Sequence, residues 1–291
     1  MPHMIRAERV SLQYQNKQVL EDISFNLEGG KIYGLLGRNG AGKTSLLSVL
    51  SAFVKATSGS ITIDGQPIFE NAALMEQMVF IRDVKLDEES GKAKKYIKDL
   101  SIFRPNFDLD YAEHLMQRFK LPTDTEVSKL SRGMQSALHV IIGLASRCPI
   151  TIFDEAYLGM DAPAREIFYE EVLNDFMEHP RTIILSTHLI SEMESMFEEV
   201  LIIDQGELIL HEEAEILRDS GVSVTGAVEQ VDYFVQGKHI LKEQVLGGTK
   251  LVMLYGQLSE QEREEAKAMQ LSLGPITLQE LFIHLTKEDK Q

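Results

Sequence analysis

The sequence is poor in cysteine and in basic residues, and it has no long apolar run. Its only cysteine, Cys148, rules out an internal disulfide framework and fits a reducing cytosol, where we expect it to be an inert packing residue. Lys and Arg number 29 against 45 Asp and Glu, and the net charge of −16 argues against generic electrostatic binding to nucleic acid or anionic lipid. No apolar stretch approaches the roughly 20 residues of a membrane-spanning helix, and the N-terminus lacks the apolar core of a signal peptide. These absences predict a soluble, cytosolic protein.

Length and patterning predict an α/β fold with a smaller second domain. The 291 residues are 44% hydrophobic and 25% charged, an ordinary globular mix. Strand-like and helical patterns alternate through residues 1–220, except for about 84–147, where three amphipathic helical patterns follow one another. We therefore predict one domain over 1–220 with a helical insert at about 84–147. Residues 221–291 are predicted to form a small α+β domain, with three short strands followed by two helices.

The most specific signal is a glycine-rich string between an apolar strand and a helix. It matches the G-x-x-x-x-G-K-[ST] pattern, whose small residues let backbone N–H groups surround a phosphate. The helix that follows directs its positive end at the same anion. We predict that the lysine reaches the outer phosphates, that the threonine coordinates Mg²⁺, and that Ser45 adds a contact to an inner phosphate. The eight residues of the string are Gly37, Arg38, Asn39, Gly40, Ala41, Gly42, Lys43 and Thr44.

Two further strands end in residues that suit triphosphate chemistry. PITIFDE ends in Asp154, which can hold a metal ion, and in Glu155, which can orient and deprotonate an attacking water. RTIILSTH ends in His188, which can hydrogen-bond a γ-phosphate. Taken alone, an Asp-Glu pair after a strand is commonly just a polar loop, and a histidine such as His188 is commonly a solvent-facing or capping residue. Because ligands gather at the carboxyl ends of strands in an α/β sheet, we expect all three side chains near Lys43.

Leu130-Ser131-Arg132-Gly133-Met134 begins an amphipathic helix about twenty residues before the acidic strand. At the start of a helix, the Ser131 hydroxyl and the Gly133 backbone make a second anion site, although a plain serine N-cap is the ordinary interpretation. In this order the motifs resemble the nucleotide-binding subunit of ABC transporters, over about residues 4–220. The pentapeptide is similar to the family's LSGGQ signature, with Arg132 and Met134 as departures.

The resemblance implies a fold and several residue roles. The fold is a P-loop NTPase core with an antiparallel β subdomain and an inserted helical subdomain. Tyr14 matches the aromatic residue that stacks on adenine, and Gly159-Met160-Asp161 resembles the D-loop that crosses between subunits. Glu155 corresponds to the catalytic glutamate and His188 to the switch histidine. Ser131 and Gly133 are then expected to complete the ATP site of the opposite protomer.

The sequence departs from the family at the Q-loop. Family members usually carry Gln at the end of the strand before the helical block, whereas this chain reads Phe80-Ile81-Arg82-Asp83. Asp83 is expected at the glutamine position. A carboxylate there can approach the metal through water but cannot donate a hydrogen bond as an amide does.

These observations predict an ATP- and Mg²⁺-dependent ATPase subunit of a transporter. Two such subunits, in a homodimer or heterodimer, would bind two ATP and drive a separate integral-membrane permease from the cytoplasmic face of the membrane, with export favoured over import. One alternative is a soluble ABC-type ATPase clamp with a non-membrane partner, and another is a module that sequesters ATP without turnover.

Overall fold

The structure, a computed structural model, describes residues 3–286 of the chain. Internal contacts divide the chain into two units, one of Met1–His188 with Leu201–His211 and one of Leu189–Val200 with Glu212–Gln291. The domain boundary predicted near residue 220 stays a prediction. No helix within residues 3–286 has both the length and the apolar character needed to cross a membrane.

Strands and helices alternate through most of the described chain. The strands are β1 (Ile5–Tyr14), β2 (Lys17–Leu27), β3 (Ile32–Leu36), β4 (Ser58–Ile63), β5 (Gln66–Pro67), β6 (Met78–Arg82), β7 (Ile150–Asp154), β8 (Thr182–Thr187), β9 (Glu199–Asp204), β10 (Glu207–Glu213), β11 (Gly221–Ala227), β12 (His239–Leu246), β13 (Thr249–Tyr255) and β14 (Ser272–Pro275). The helices are α1 (Lys43–Leu50), α2 (Ala72–Met75), α3 (Ala93–Ser101), α4 (Leu109–Arg118), α5 (Arg132–Ala145), α6 (Ala162–Glu178), α7 (Ile190–Met193), α8 (Ala214–Asp219), α9 (Val228–Phe234), α10 (Glu260–Ala268) and α11 (Leu278–Leu285).

A six-stranded sheet positions the ends of the motif-bearing strands. Its order is β10-β9-β3-β8-β7-β6, and β3, β8, β7 and β6 pair in parallel. All five residues of β3 and of β7 and all six of β8 are buried, as expected for strands covered on both faces. Leu36 pairs with Thr187, and Asp154 pairs with both Ser186 and Arg82. The four carboxyl ends therefore lie along one edge.

A second, antiparallel sheet has the order β2-β1-β4-β5. Buried and exposed residues alternate along much of β2, as is typical of a sheet with one solvated face. Its apolar side chains share a core with α1 and with β3, β7 and β8. This is the antiparallel β subdomain that the resemblance implies.

Helices α3, α4 and α5 follow one another between β6 and β7 with no strand of the sheets between them, which confirms the predicted helical insert. Asp108 caps α4 by accepting a hydrogen bond from Tyr111 N, and Ser131 caps α5 by accepting one from Met134 N. The mixed α/β fold class is confirmed.

The second unit contains a β-α-β-β-α-β arrangement of ferredoxin-like topology, β11-α9-β12-β13-α10-β14. Its sheet has the order β12-β13-β11-β14, and the pairings of β11 with β13 and β14 and of β12 with β13 are antiparallel. The sequence predicts three strands and two helices here. The structure adds the helix Val228–Phe234 and the strand Ser272–Pro275. Val231 and Phe234 of the added helix are buried in the core of this unit.

Candidate functional site

The glycine-rich string forms a tight loop between β3 and α1. Gly42 has a φ of 111°, which a residue with a side chain rarely adopts, and a Cβ there would lie 2.9 Å from Leu20 Cδ2. A Cβ on Gly37 would lie 2.7 Å from the backbone oxygen of Ile203. Helix α1 begins directly after Gly42 without a side-chain cap, so its first-turn amides suit an anion. Ser45 lies in that first turn.

Lys43 lies over the loop and is 6% exposed. Its Nζ donates to the backbone oxygens of Gly37, at 2.7 Å, and Arg38, at 3.2 Å. The same nitrogen lies 3.6 Å from Glu155 Oε1. The ammonium group therefore lies between the phosphate loop and the carboxylate that follows β7. The remaining loop residues, Arg38, Asn39 and Gly40, are exposed, and Ala41 is buried.

Thr44 and Asp154 join the loop to the end of β7. The Thr44 hydroxyl donates to Asp154 Oδ2 at 2.6 Å. Asp154 is buried, and its other oxygen, Oδ1, has no hydrogen-bond partner among the described residues. A buried carboxylate oxygen without a partner is rare in folded proteins and needs a physical reason. Carboxylate and hydroxyl oxygens are the ligands that Mg²⁺ takes, so these two side chains fit a magnesium ion.

Glu155 and His188 meet at the ends of β7 and β8. His188 Nδ1 lies 3.0 Å from Glu155 Oε2, and the Glu155 backbone N–H donates to Ser186 O at 3.1 Å. Glu155 has a φ of 49°, in the left-handed region. Such a conformation in a residue with a side chain costs free energy, and it often accompanies a functional constraint. Here it directs the carboxylate towards both Lys43 and His188.

Thr44, Asp154, Glu155 and Asp83 line one cleft of about 470 Å³. Asp83 follows β6, so the four strand ends do bring the predicted residues to one edge. Its carboxylate is engaged elsewhere, because Asp83 Oδ2 accepts a hydrogen bond from Arg132 Nη2 at 2.5 Å. Asp83 therefore lines the cleft, while its carboxylate forms an ion pair with Arg132, the residue after Ser131.

Ser131 and Gly133 lie outside that cleft. Ser131 is exposed at the start of α5, where its Oγ accepts from Met134 N at 3.3 Å. Gly133 packs against the loop after β7, since a Cβ on it would lie 2.6 Å from Gly159 O. Asp161 of the same loop caps α6 and accepts from Ala164 N at 3.0 Å. The resemblance assigns Ser131 and Gly133 to the ATP of an opposite protomer, and that role stays a prediction.

Tyr14 ends β1 at its turn to β2, and its side chain is 46% exposed. The same hairpin approaches the phosphate loop through Leu20, next to the position of a Cβ on Gly42. Gly206 connects the two, because Glu21 N donates to Gly206 O at 2.8 Å and Gly206 N donates to Ala41 O at 3.0 Å. Stacking of Tyr14 on adenine stays a prediction.

Sequence reasoning missed Tyr157. This buried residue contacts both Thr187 and His188 through its hydroxyl. No spacing rule predicts such a contact, because the partners are 30 and 31 residues apart. The only signal in the sequence is its position two residues after Glu155.

Comparisons with known proteins identify the family of this chain. The family model described as "ABC transporter" matches residues 20–158. The Nod factor export ATP-binding protein I of Cupriavidus pinatubonensis is 31% identical over 229 residues, covering 75% of this chain and 69% of that protein. The ABC transporter ATP-binding protein YtrB of Bacillus subtilis is 26% identical over 283 residues, covering 97% and 95% of the two chains.

A solved structure of an ATP-binding subunit of an ABC transporter has the same fold. The TM-score is 0.67 at 21% identity, and the match covers 74% of this chain and 92% of that one. The fold, the order of the motifs and the sequence relatives lead to one conclusion. The chain belongs to the ABC transporter family, as one of its ATP-binding ATPase subunits.

Proposed function

We propose that this chain hydrolyses ATP as the energising subunit of an ABC exporter, in a dimer that encloses two ATP and acts on a separate membrane permease. The observation that carries the proposal is the cluster at one sheet edge. Lys43, Thr44, Asp154, Glu155 and His188 come from three different segments and lie within hydrogen-bond or ion-pair distance of one another in a chain of contacts.

The phosphate loop and α1 bind the triphosphate. Backbone amides of the loop and the first turn of α1 surround the phosphates, and Lys43 leaves the carbonyl groups of Gly37 and Arg38 for phosphate oxygens. Thr44 and Asp154 hold Mg²⁺, which offsets negative charge that develops on the phosphoryl group. Asp83 lines the same cleft, and we assign it only a water-mediated contact. Tyr14 stacks on the adenine.

Glu155 and His188 act on the terminal phosphate. Glu155 orients the attacking water and takes its proton. Its Oε1 lies 3.6 Å from Lys43 Nζ, at the edge of the phosphate loop where the terminal phosphate is bound. His188 hydrogen-bonds the γ-phosphate and so fixes its position relative to that water. A module that only sequesters ATP would have no use for this pair.

The signature segment supports a two-protomer arrangement. Ser131 is exposed and lies outside the protomer's own cleft, so a triphosphate bound there would have to belong to another protomer. ATP then favours the closed dimer, because each nucleotide contacts both protomers, and hydrolysis removes that differential contact.

The helical insert offers a surface for the permease. Ile102 and Phe103, which directly follow α3, are 77% and 76% exposed, which is unusual for large apolar side chains that are neighbours in the chain. A permease that contacts this surface would place the chain at the cytoplasmic face of the membrane.

Two further observations support export through a permease. The name of the Cupriavidus relative supports export. The net charge of −16 disfavours nucleic acid as the partner.

The catalytic assignment is tested with Glu155→Gln. We expect phosphate release to fall by about 10²- to 10⁴-fold, because the amide cannot take the proton of the attacking water. Dimers that depend on ATP should persist in size-exclusion chromatography, since the nucleotide-binding groups remain. Glu264→Gln, on an exposed surface of α10, is the matched control and should hydrolyse ATP normally. Unchanged phosphate release by the Glu155 variant would refute the assignment.

The partner is tested by affinity purification of the full chain from its native membranes. We expect a multispanning membrane protein, encoded beside this gene, to co-purify, and the double variant Ile102→Ser with Phe103→Ser to weaken its recovery. Recovery of a soluble partner alone would support the clamp alternative.

A further inference from the structure

Tyr157 is a buried residue whose phenol ring lies beside His188 of the proposed hydrolytic pair. It is 3% exposed, and its ring centroid lies 5.8 Å from that of His188. The Tyr157 hydroxyl is 2.9 Å from Thr187 Oγ1 and 3.1 Å from His188 Nδ1, and it accepts a hydrogen bond from the His188 backbone N–H at 3.2 Å. One phenol oxygen thus contacts the last residue of β8 and both the backbone and the ring of the next residue.

The hydrogen-bonding capacity of these groups restricts where the protons lie. A phenol oxygen donates one hydrogen and accepts at two lone pairs. The backbone N–H of His188 and the hydroxyl of Thr187 can both donate to it, which leaves the phenol proton directed at His188 Nδ1. When Nδ1 accepts, a neutral imidazole carries its proton on Nε2.

Glu155 competes for the same nitrogen. Glu155 Oε2 lies 3.0 Å from His188 Nδ1, and an ionised carboxylate only accepts. A bond to Glu155 therefore requires a proton on Nδ1, and a neutral ring then has none on Nε2 with which to reach a phosphate oxygen. Once Glu155 turns to the attacking water, a neighbour that donates to Nδ1 is needed to keep the proton on Nε2.

We propose that Tyr157 is a positioning residue that sets the tautomer of His188. Its hydroxyl donates to Nδ1 while Glu155 is engaged with water, so Nε2 carries the proton that is donated to the γ-phosphate. The burial of the phenol ring and its contacts to Thr187 and to the His188 backbone hold the hydroxyl in place. This inference rests on the proposed roles of Glu155 and His188.

Tyr157→Phe tests the proposal, since it removes a single oxygen atom. We expect kcat to fall by about tenfold, the effect of losing one well-placed hydrogen bond, with the dissociation constant for Mg-ATP within about twofold of wild type. Tyr33→Phe is the control. It removes another buried hydroxyl, which donates to Glu28 O at 2.8 Å, and it should leave kcat unchanged although it also alters stability.

The tautomer is read directly by ¹⁵N chemical shifts of histidine-labelled full-length protein with Mg-ADP and beryllium fluoride, which mimics the γ-phosphate. His188→Gln identifies the His188 signals. We expect protonated Nε2 and bare Nδ1 in the wild type, and a shift towards the opposite tautomer in Tyr157→Phe. Protonated Nδ1 with bare Nε2 in the wild type would overturn the proposal, even if the variant failed to fold.

The kinetic results separate this inference from the proposed function. Loss of turnover in His188→Gln with wild-type turnover in Tyr157→Phe would overturn only the role of Tyr157. Wild-type turnover in His188→Gln would overturn the proposed role of His188 itself.

Discussion

The carboxylate of Asp83 lies 2.5 Å from the guanidinium of Arg132, across 49 residues of sequence. The resemblance predicts that each of the two departs from the family pattern, Asp83 at the glutamine of the Q-loop and Arg132 within the signature. The fold brings them together with opposite charges, so the pair joins the end of β6 to the start of α5. A residue that lines the cleft is thus directly bonded to the segment that resembles the signature.

We expect this ion pair to contribute modestly to stability. The Arg132 side chain is 62% exposed, so solvent screens the pair and its coupling energy should be about 0.5 kcal/mol. A double-mutant cycle of Asp83→Ala and Arg132→Ala, measured by urea unfolding, gives this value. The coupling should vanish at about 1 M salt, where screening acts over only about 3 Å. A coupling that salt does not change would contradict the expectation.

Asp154→Asn should raise the stability of the nucleotide-free protein and weaken its stabilisation by Mg-ATP. In the nucleotide-free protein we expect its free energy of unfolding to rise by about 0.5–1 kcal/mol, because the variant removes a buried charge with an unpartnered oxygen. At a Mg-ATP concentration of 100 times Kd, nucleotide binding should raise the free energy of unfolding of the wild type by about 2.7 kcal/mol. The variant should lose most of this increase.

Thermal unfolding with and without Mg-ATP measures both effects of Asp154→Asn. Asp83→Asn is the matched control, because its carboxylate is paired with Arg132, and we expect it to keep most of the gain. Equal losses in the two variants would show that Asp154 has no special part in holding the metal.

Asp175→Asn should be strongly destabilising. Asp175 is buried and forms ion pairs with Arg181, which is also buried, and with Arg147. Burial lowers the pKa of Arg181, yet the guanidinium remains charged at neutral pH and loses its counter-charge in the variant. We expect the free energy of unfolding, measured in urea, to fall by about 3–5 kcal/mol. Asp99→Asn, in an exposed pair with Lys95, should cost less than about 0.5 kcal/mol. A loss below about 1 kcal/mol at Asp175 would contradict this account.

Glu262 should make the second unit sensitive to acid. A hydrogen bond from Lys238, followed by those from the Ser259 backbone and hydroxyl, lowers the pKa of Glu262 from 4.5 to about 2. Because its pKa is lower in the folded state, ionised Glu262 stabilises the folded protein fully above pH 4.5. This stabilisation is lost as the pH falls from 4.5 towards 2. Because solvent screens the interaction of Glu262 with Lys238, we expect it to contribute about 1 kcal/mol to the free energy of unfolding, which is less than the full pKa shift would imply.

Urea unfolding of wild type and Glu262→Gln tests the acid effect. The variant should be less stable than the wild type at pH 7, and the difference should shrink as the pH approaches 2. Glu264→Gln, an exposed neighbour on α10, is the control and should not show this pattern. A difference that stays constant over that range would show that Glu262 does not carry the acid effect.

The sequence by itself predicted the candidate nucleotide site, because each of its motifs is a local stretch of sequence. The motif from Gly37 to Thr44 forms the loop after β3 and the first residues of α1, and Asp154 and Glu155 come directly at the end of a buried strand. Since parallel strands present their carboxyl ends along one edge, the sequence predicted that Lys43, Asp154 and His188 would lie near one another. In the structure the strands beside these residues, β3, β8 and β7, are neighbours in one sheet.

Short apolar runs mark the limit of what the sequence predicts. Residues 228–234 contain apolar and β-branched residues that suit a strand, and the structure folds them into α9 because Val231 and Phe234 are buried on one side of a helix. Runs of this length have no decisive periodicity, so tertiary packing selects between helix and strand.

Only the tertiary structure decided which side chains hold the site in place. The bonds from Tyr157 to His188 and from Arg132 to Asp83 join residues 31 and 49 positions apart, and each depends on the angle at which a loop leaves its strand. Composition and spacing contain no information about that angle. It is set by close packing of the surrounding core, which involves the whole unit at once.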